Sequence, residues 1–306
     1  MVAARTYAER HRRESSSDTV GMWSNALALV ALYSGHVEES LAHANDAVEQ
    51  LNWRDVSGVL AGARAVRAAA AAQLGMRAVA REYLRSDPTG DVKEMLQRAE
   101  VRAWLLSDDP PAAAETVALA GDRALRMHAH ALAAPTVYTA VRLGHAARVL
   151  PIFRDIGQTA EGSLIGSMVD HAEASVAGDP NALMRAAGEL AEIGLTAGAI
   201  DAAFEAAQLF RGSGRGESER KALLFIAAHG TGLSGYRRDR RLRSSFELSE
   251  REWAVARGGR GTRAQSRDRR APRAVDPNGR EPPRARLPQA GRRRPGRTQG
   301  GARAPP

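Results

Sequence analysis

The sequence has no cysteine, two lysines, and aromatic residues at only 5% of its 306 positions. Without cysteine there are no disulfides, no thiolate nucleophile and no sulfur-ligated zinc or iron. The strongest apolar run, residues 26–33, falls far below the roughly 18 residues that cross a bilayer. The charged start, Met1-Val-Ala-Ala-Arg-Thr-Tyr-Ala-Glu-Arg10, is unlike a secretion signal. The expectation is a cytoplasmic chain with no membrane partner. What the chain does have is a 43% share of hydrophobic residues, enough for the core of one or two domains.

The net charge of +9 first suggests a nucleic-acid binder, but it is unevenly placed. Residues 258–306 hold fourteen arginines against Asp268, Asp276 and Glu281, a net of +11, so the first 257 residues carry a net of −2. Arginine replaces lysine almost everywhere, with Lys93 and Lys221 the exceptions, and alanine is abundant. A GC-rich coding sequence imposes that composition without any selection for phosphate binding.

From residue 21 to 210 apolar residues recur at helical spacing, as in Leu27, Val30, Ala31 and then Val37, Leu41, Ala44, Val48. Strand patterns are hard to find, so an all-α fold is expected. Gly144, Gly178 and Gly212 lie 34 residues apart, and stepping back reaches Pro110 and Gly75 within a residue, with an earlier turn at Gly35. Six amphipathic pairs follow: 26–34 with 37–51, 59–74 with 77–84, 92–106 with 112–119, 136–143 with 146–153, 163–176 with 180–190, and 199–210 with 217–228. A helical hairpin cannot bury its apolar face alone, so pairs of this length are expected to stack into a solenoid. With small residues at the crossing positions Ala28, Gly35, Ala44 and Ala47, residues 21–229 resemble tetratricopeptide repeats, though no pair carries the full aromatic set of that family. Residues 1–20 read as a polar N-terminal segment.

Several motifs carry a chemical meaning that their context withholds. Gly230-Thr-Gly232-Leu-Ser-Gly235 has dinucleotide-fingerprint spacing but leads into Tyr236-Arg-Arg-Asp-Arg-Arg rather than a helix, in a chain with no parallel sheet. Gly212-Ser-Gly-Arg-Gly216 lacks the Gly-Lys-Ser/Thr ending of a phosphate loop and reads as a turn. His128 and His130 fall on different helix faces, and no cluster has metal-ligand spacing. Gly162-Ser-Leu-Ile-Gly166 is no nucleophile elbow, because its serine is misplaced and no strand precedes it. Trp23, Trp53 and Trp104 lie on helical stripes and are expected to pack between repeats. No catalytic, cofactor or metal residue is assigned, and no enzymatic activity is expected.

Beyond a basic linker at 230–247, which contains Arg237, Arg238, Arg240, Arg241 and Arg243, one ordered signal appears: Leu248-Ser-Glu-Arg-Glu-Trp-Ala-Val-Ala-Arg257. Ser249 and Glu252 form a capping box, in which hydroxyl and carboxylate each satisfy a backbone N–H, and Leu248 can staple onto Trp253. A helix is expected to begin here. From residue 258 the chain has eight glycines, eight prolines and no aromatic in 49 residues, a composition expected to stay disordered.

The stretch 248–257 resembles the opening of the LuxR-type helix-turn-helix domain, whose first helix begins Leu-Thr/Ser-x-Arg-Glu-x-x-Val. In large LuxR-family regulators this domain follows an Ala- and Arg-rich helical-repeat region. The resemblance implies the C-terminal part of such a transcriptional regulator, lacking the ATP-binding domain of large members, with DNA as partner and a protein or small-molecule effector on the repeats. The recognition helix, which would read base edges in the major groove, is not encoded in frame, so the DNA-binding residues are unknown. Back-translated with a one-base shift, residues 265–272 permit Asn-Arg-Glu-Ile-Ala-Glu-Leu and 276–283 permit Thr-Arg-Thr-Val-Glu-Asn-His-Leu. Residues 284–304 continue in the same register toward a last helix. These look like the rest of the domain, so the tail 258–306 reads as a frameshift product, with DNA binding lost except through charge. The alternative is a tetratricopeptide-like scaffold that binds protein or peptide on its concave face.

Overall fold

The computed structural model describes residues 1–16, 19–160, 162–230 and 233. Among them are thirteen α-helices and no strand. The linker beyond 233 and the stretches 248–257 and 258–306, with the helix start and tail expected there, lie outside the described residues.

The helices are α1 Val2–Glu14, α2 Val20–Ser34, α3 Val37–Trp53, α4 Leu60–Gln73, α5 Arg77–Arg85, α6 Val92–Leu105 and α7 Pro110–Arg126. They continue as α8 His130–Arg142, α9 Ala146–Thr159, α10 Ser163–Ala177, α11 Pro180–Glu192, α12 Thr196–Gly212 and α13 Gly216–His229. Alanine, the best helix former, carries much of this: Ala68 through Ala72 on α4 are all buried, and so small a side chain lets neighbouring helices approach closely. Helix starts are fixed by local chemistry. Asp91, Asp109 and Asp179 each accept a backbone N–H of the following turn, and Pro110 and Pro180 occupy the first helical position, where no N–H is needed.

One turn is used seven times. At residues 35, 75, 128, 144, 178, 194 and 214 the chain has positive φ. In each case the next residue's N–H bonds to a carbonyl five positions back, and the next helix begins immediately afterwards. This left-handed cap satisfies carbonyls that the helix end would leave unpaired. Six of the seven positions are glycine; the seventh is His128, at φ 56°. The 34-residue interval therefore marks real turns at Gly144 and Gly178, but the next turn is made by Gly214. Gly212 is the last residue of α12. The same cap also joins successive pairs, at His128 and Gly194.

The twelve segments expected from periodicity correspond to α2 through α13 in order. The exception lies before them: residues 2–14 form α1, where the sequence suggested only a polar segment. Periodicity missed it because Ala8 alone on this helix is buried. Tyr7 and His11 pack edge-on against Trp23, and Arg5 and Arg12 reach Glu39 and Asp46 on α3 at 2.5 and 3.1 Å.

The even-numbered helices make the inner framework. Helix α2 packs on α4, α4 on α6, α6 on α8, and α12 touches both α8 and α2, so the contacts close into a ring. The closure is tight: a Cβ added at Gly35 would stand 2.9 Å from the Ala197 Cβ, and the Met1 ammonium donates to the Ile193 carbonyl at 2.9 Å. Side-chain contacts also recur at a fixed sequence separation. Arg5 to Glu39, Arg12 to Asp46 and Arg215 to Asn181 span 34 residues, and Arg148 to Glu115 and Tyr138 to His171 span 33.

Candidate functional site

The ring of even-numbered helices encloses a polar spine in a largely apolar interior. Leu96, Ala99 and Ala103 bury one face of α6, and Glu100 lies inside with them. Helix α12 is buried nearly all round from Ala197 to Ala207, and Asp201 stands within that stretch at 3% exposure. Helix α8 supplies Tyr138, Thr139 and Arg142.

These groups form a connected arrangement. Arg142 Nε donates to Asp201 Oδ2 at 3.0 Å, with Asp201 buried and Arg142 partly so. The Arg142 guanidinium lies over the Trp104 ring at 5.0 Å from its centroid, where a flat delocalised cation is attracted to the π face. The Tyr138 hydroxyl and His171 Nδ1 share a buried hydrogen bond of 2.7 Å, and Tyr138 also meets the rings of Phe153 and His171 edge-on.

Glu100 is the group this arrangement leaves least matched. Burial pushes its carboxyl up to about 7, against the opposing influence of Arg142 and the Trp104 indole. Arg142 is the cation nearest to hand and is bound to Asp201, so two carboxylates share one guanidinium. Tyr33 is pushed well above the usual phenol range, first by burial and then by the Glu100 charge.

A pocket opens at this point. Tyr33, Glu100, Pro135, Tyr138, Thr139, Arg142, Met168, Leu195 and Gly198 line about 330 Å³ of space, part of it continuous with solvent. Its walls come from α2, α6, α8, α10 and α12 and the residue preceding α12. Gly198 belongs to the fit, because a Cβ there would collide with the Tyr138 hydroxyl.

The motifs weighed in the sequence fall elsewhere. Gly212, Gly214 and Gly216 make the turn between α12 and α13. Gly230 directly follows α13, while the other fingerprint glycines lie outside the described residues. His128 forms a turn and His130 opens α8, with ring centroids 6.3 Å apart. Ser163 begins α10. Trp23 and Trp104 pack between helices as expected. Trp53 does not: it is the last residue of α3 and is 77% exposed.

Sequence reasoning missed the spine. The available signal was an ionisable residue interrupting an apolar helical face, as Asp201 does in Ala199-Ile-Asp-Ala-Ala-Phe204. Which of many such residues would converge was not readable, because Glu100, Arg142 and Asp201 are separated by 42 and 59 positions. No helix among the described residues is long and apolar enough to cross a membrane. No protein-family model matches the chain, and comparison with curated proteins and with solved structures finds no match.

Proposed function

We propose that this chain is part of a LuxR-family transcriptional regulator whose helical-repeat region receives an effector or partner and whose DNA-binding domain is interrupted after its first helix. The observation that carries the reading is Leu248-Ser-Glu-Arg-Glu-Trp-Ala-Val-Ala-Arg257, a LuxR-like helix opening that comes after an all-helical body and the basic linker 230–247. The side-chain contacts at separations of 33 and 34 residues and the shared left-handed cap support reading that body as stacked tetratricopeptide-like hairpins. They join the same register of one pair to that of the next.

The packing of α12 on α2 weighs against the alternative of a peptide-binding scaffold. An extended peptide needs an open inner face, and here the inner helices meet around a pocket of about 330 Å³.

The test is to restore one base near codon 257 and compare the two proteins on DNA. The restored protein should bind a specific sequence about 10³-fold more tightly than random duplex. The chain as it stands should bind only through the arginines of 258–306, with affinity falling steeply as salt rises, at a slope of about −0.9 per phosphate neutralised. Stop codons in the shifted frame, or a restored protein with no sequence preference, would overturn the regulator reading in favour of the scaffold.

A further inference from the structure

Helix α1 occupies a seat whose position the repeat defines. Its Arg5 and Arg12 reach Glu39 and Asp46 across 34 positions, as Arg215 reaches Asn181, and Arg148 reaches Glu115 across 33. The last two contacts run between the second helices of successive pairs, α11 to α13 and α7 to α9, so α1 stands where the second helix of a preceding pair would stand. The seat beneath it is acidic and aromatic. Arg5 forks onto both Glu39 carboxylate oxygens at 2.5 and 3.2 Å, Arg12 donates to Asp46 at 3.1 Å, and Trp23 of α2 meets the rings of Tyr7 and His11 edge-on. Glu9 on α1 and His43 on α3 are the other ionisable groups beside the Arg5 pair. The hold is specific but light. Ala8 is the one buried residue among the thirteen of α1, and the charged side chains of the two pairs are 31–48% exposed. Ion pairs at that exposure contribute little, and a helix of this length is marginal without its partners.

We propose that the face formed by Trp23, Glu39 and Asp46 is a docking site for a basic amphipathic helix, and that its partner between molecules is the α1 of a second copy, exchanged reciprocally. Every contact made within one chain is remade between two: Arg5 on Glu39, Arg12 on Asp46, Tyr7 and His11 on Trp23, and the first residue on the Ile193 carbonyl. Exchange therefore sacrifices association entropy but no contact, the low-cost route by which identical elements swap, and the reciprocal form closes at two chains. Residues 15–19 join α1 to α2, and five residues reach at most about 18 Å, so the first helix pairs of the two copies face each other closely. The face also discriminates. It asks for cations seven positions apart, two turns along one side of a helix, with an aromatic ring between them, and Glu39 and Asp46 repel an acidic helix.

The experiment uses full chains with reversed charges. One variant carries Arg5→Glu with Arg12→Glu, the other Glu39→Arg with Asp46→Arg. Each alone sets like charges against each other, so α1 should lose protection from amide exchange while α2 to α13 keep theirs, at the mass of one chain. Once mixed, each variant offers the other its complementary half: light scattering should show a doubled mass, and α1 should regain protection. A chain with all four substitutions should seat its own α1 and return to the mass of one chain. In the wild type, where no substitution disturbs folding, the α1 amides should exchange about tenfold or more faster than those of α3. A mixture that stays at the mass of one chain, single-sided variants that keep α1 protected, or a wild-type α1 that exchanges as slowly as α3 would each overturn the proposal. None of these outcomes touches the restored-frame DNA experiment, so the two readings fail separately.

Discussion

Glu94 and Glu100 sit six positions apart on one helix, both buried, and their surroundings give them opposite fates. Burial alone would push the Glu94 carboxyl up, but the Thr89 hydroxyl, Arg98 and the Thr89 N–H all donate to it and hold it below the ordinary carboxylate range. Arg98 in turn donates to the Leu84 and Ser86 carbonyls, so one ion pair at 2.7 Å fastens the loop between α5 and α6. Glu100 faces the pocket, where the nearby guanidinium is engaged by Asp201. The Glu100 carboxyl is thus the more deeply enclosed and has fewer donors converging on it, and both differences push the two carboxyls apart.

The largest expected effect breaks the clasp. Arg98→Ala leaves the Glu94 carboxylate buried without its cation and should destabilise by about 3–5 kcal/mol, the usual consequence of removing one partner of a buried pair. Urea denaturation at neutral pH measures it. A loss under about 1 kcal/mol would mean that the Thr89 donors suffice and that the two glutamates differ less than proposed.

The next effect sharpens the contrast through pH. The folded Glu100 carboxyl is raised to about 7 from an unfolded value near 4.5, so its contribution to stability is fully present below about 4.5 and is lost as pH rises through about 7. At 1.36 kcal/mol per unit, the wild type should lose on the order of 3 kcal/mol from this group across that window. Glu94, with its pKa lowered, has the opposite sign: its contribution is present above about 4.5 and is lost as pH falls further. Glu100→Gln should flatten the upper limb and leave the lower one unchanged, as read from urea midpoints at a series of pH values.

A smaller effect probes the pocket's shape. Gly198→Ala drives a methyl into the Tyr138 hydroxyl and should destabilise by about 1–3 kcal/mol, as overpacking does. Adding Tyr138→Phe should recover part of that loss; full additivity of the two penalties would contradict the contact. The smallest effects lie far from both glutamates, in the turns. Gly178 has open space around a would-be Cβ and φ +62°, so Gly178→Ala should lose about 1 kcal/mol from backbone conformation alone. His128 already carries that strain at φ 56°, so His128→Gly should gain up to about 1 kcal/mol. Thermal melting reads both.

The fold was more legible in the sequence than the site, for a physical reason. Helical periodicity and turn residues are local: Gly35, Gly144 and Gly178 announce helix ends by their own backbone freedom, and α2 through α13 could be placed from them. Helix α1 escaped because it is held by two ion pairs and an aromatic contact rather than by an apolar stripe. His128 escaped because a histidine does not advertise positive φ. The spine was hidden more deeply, since Tyr33, Glu100, Arg142 and Asp201 meet only after α12 returns to α2, and no spacing rule encodes that closure.

The most direct test follows both carboxyls in one sample: ¹³C NMR of the full chain with labelled glutamate side chains, assigned with Glu94→Gln and Glu100→Gln and titrated from pH 3 to pH 9. The predicted result is a Glu100 resonance that moves near pH 7 and a Glu94 resonance that moves only below the ordinary carboxylate range. Two resonances titrating together near the ordinary value of about 4.3 would show that the pocket carboxylate is as well matched as the clasp, and would contradict the account.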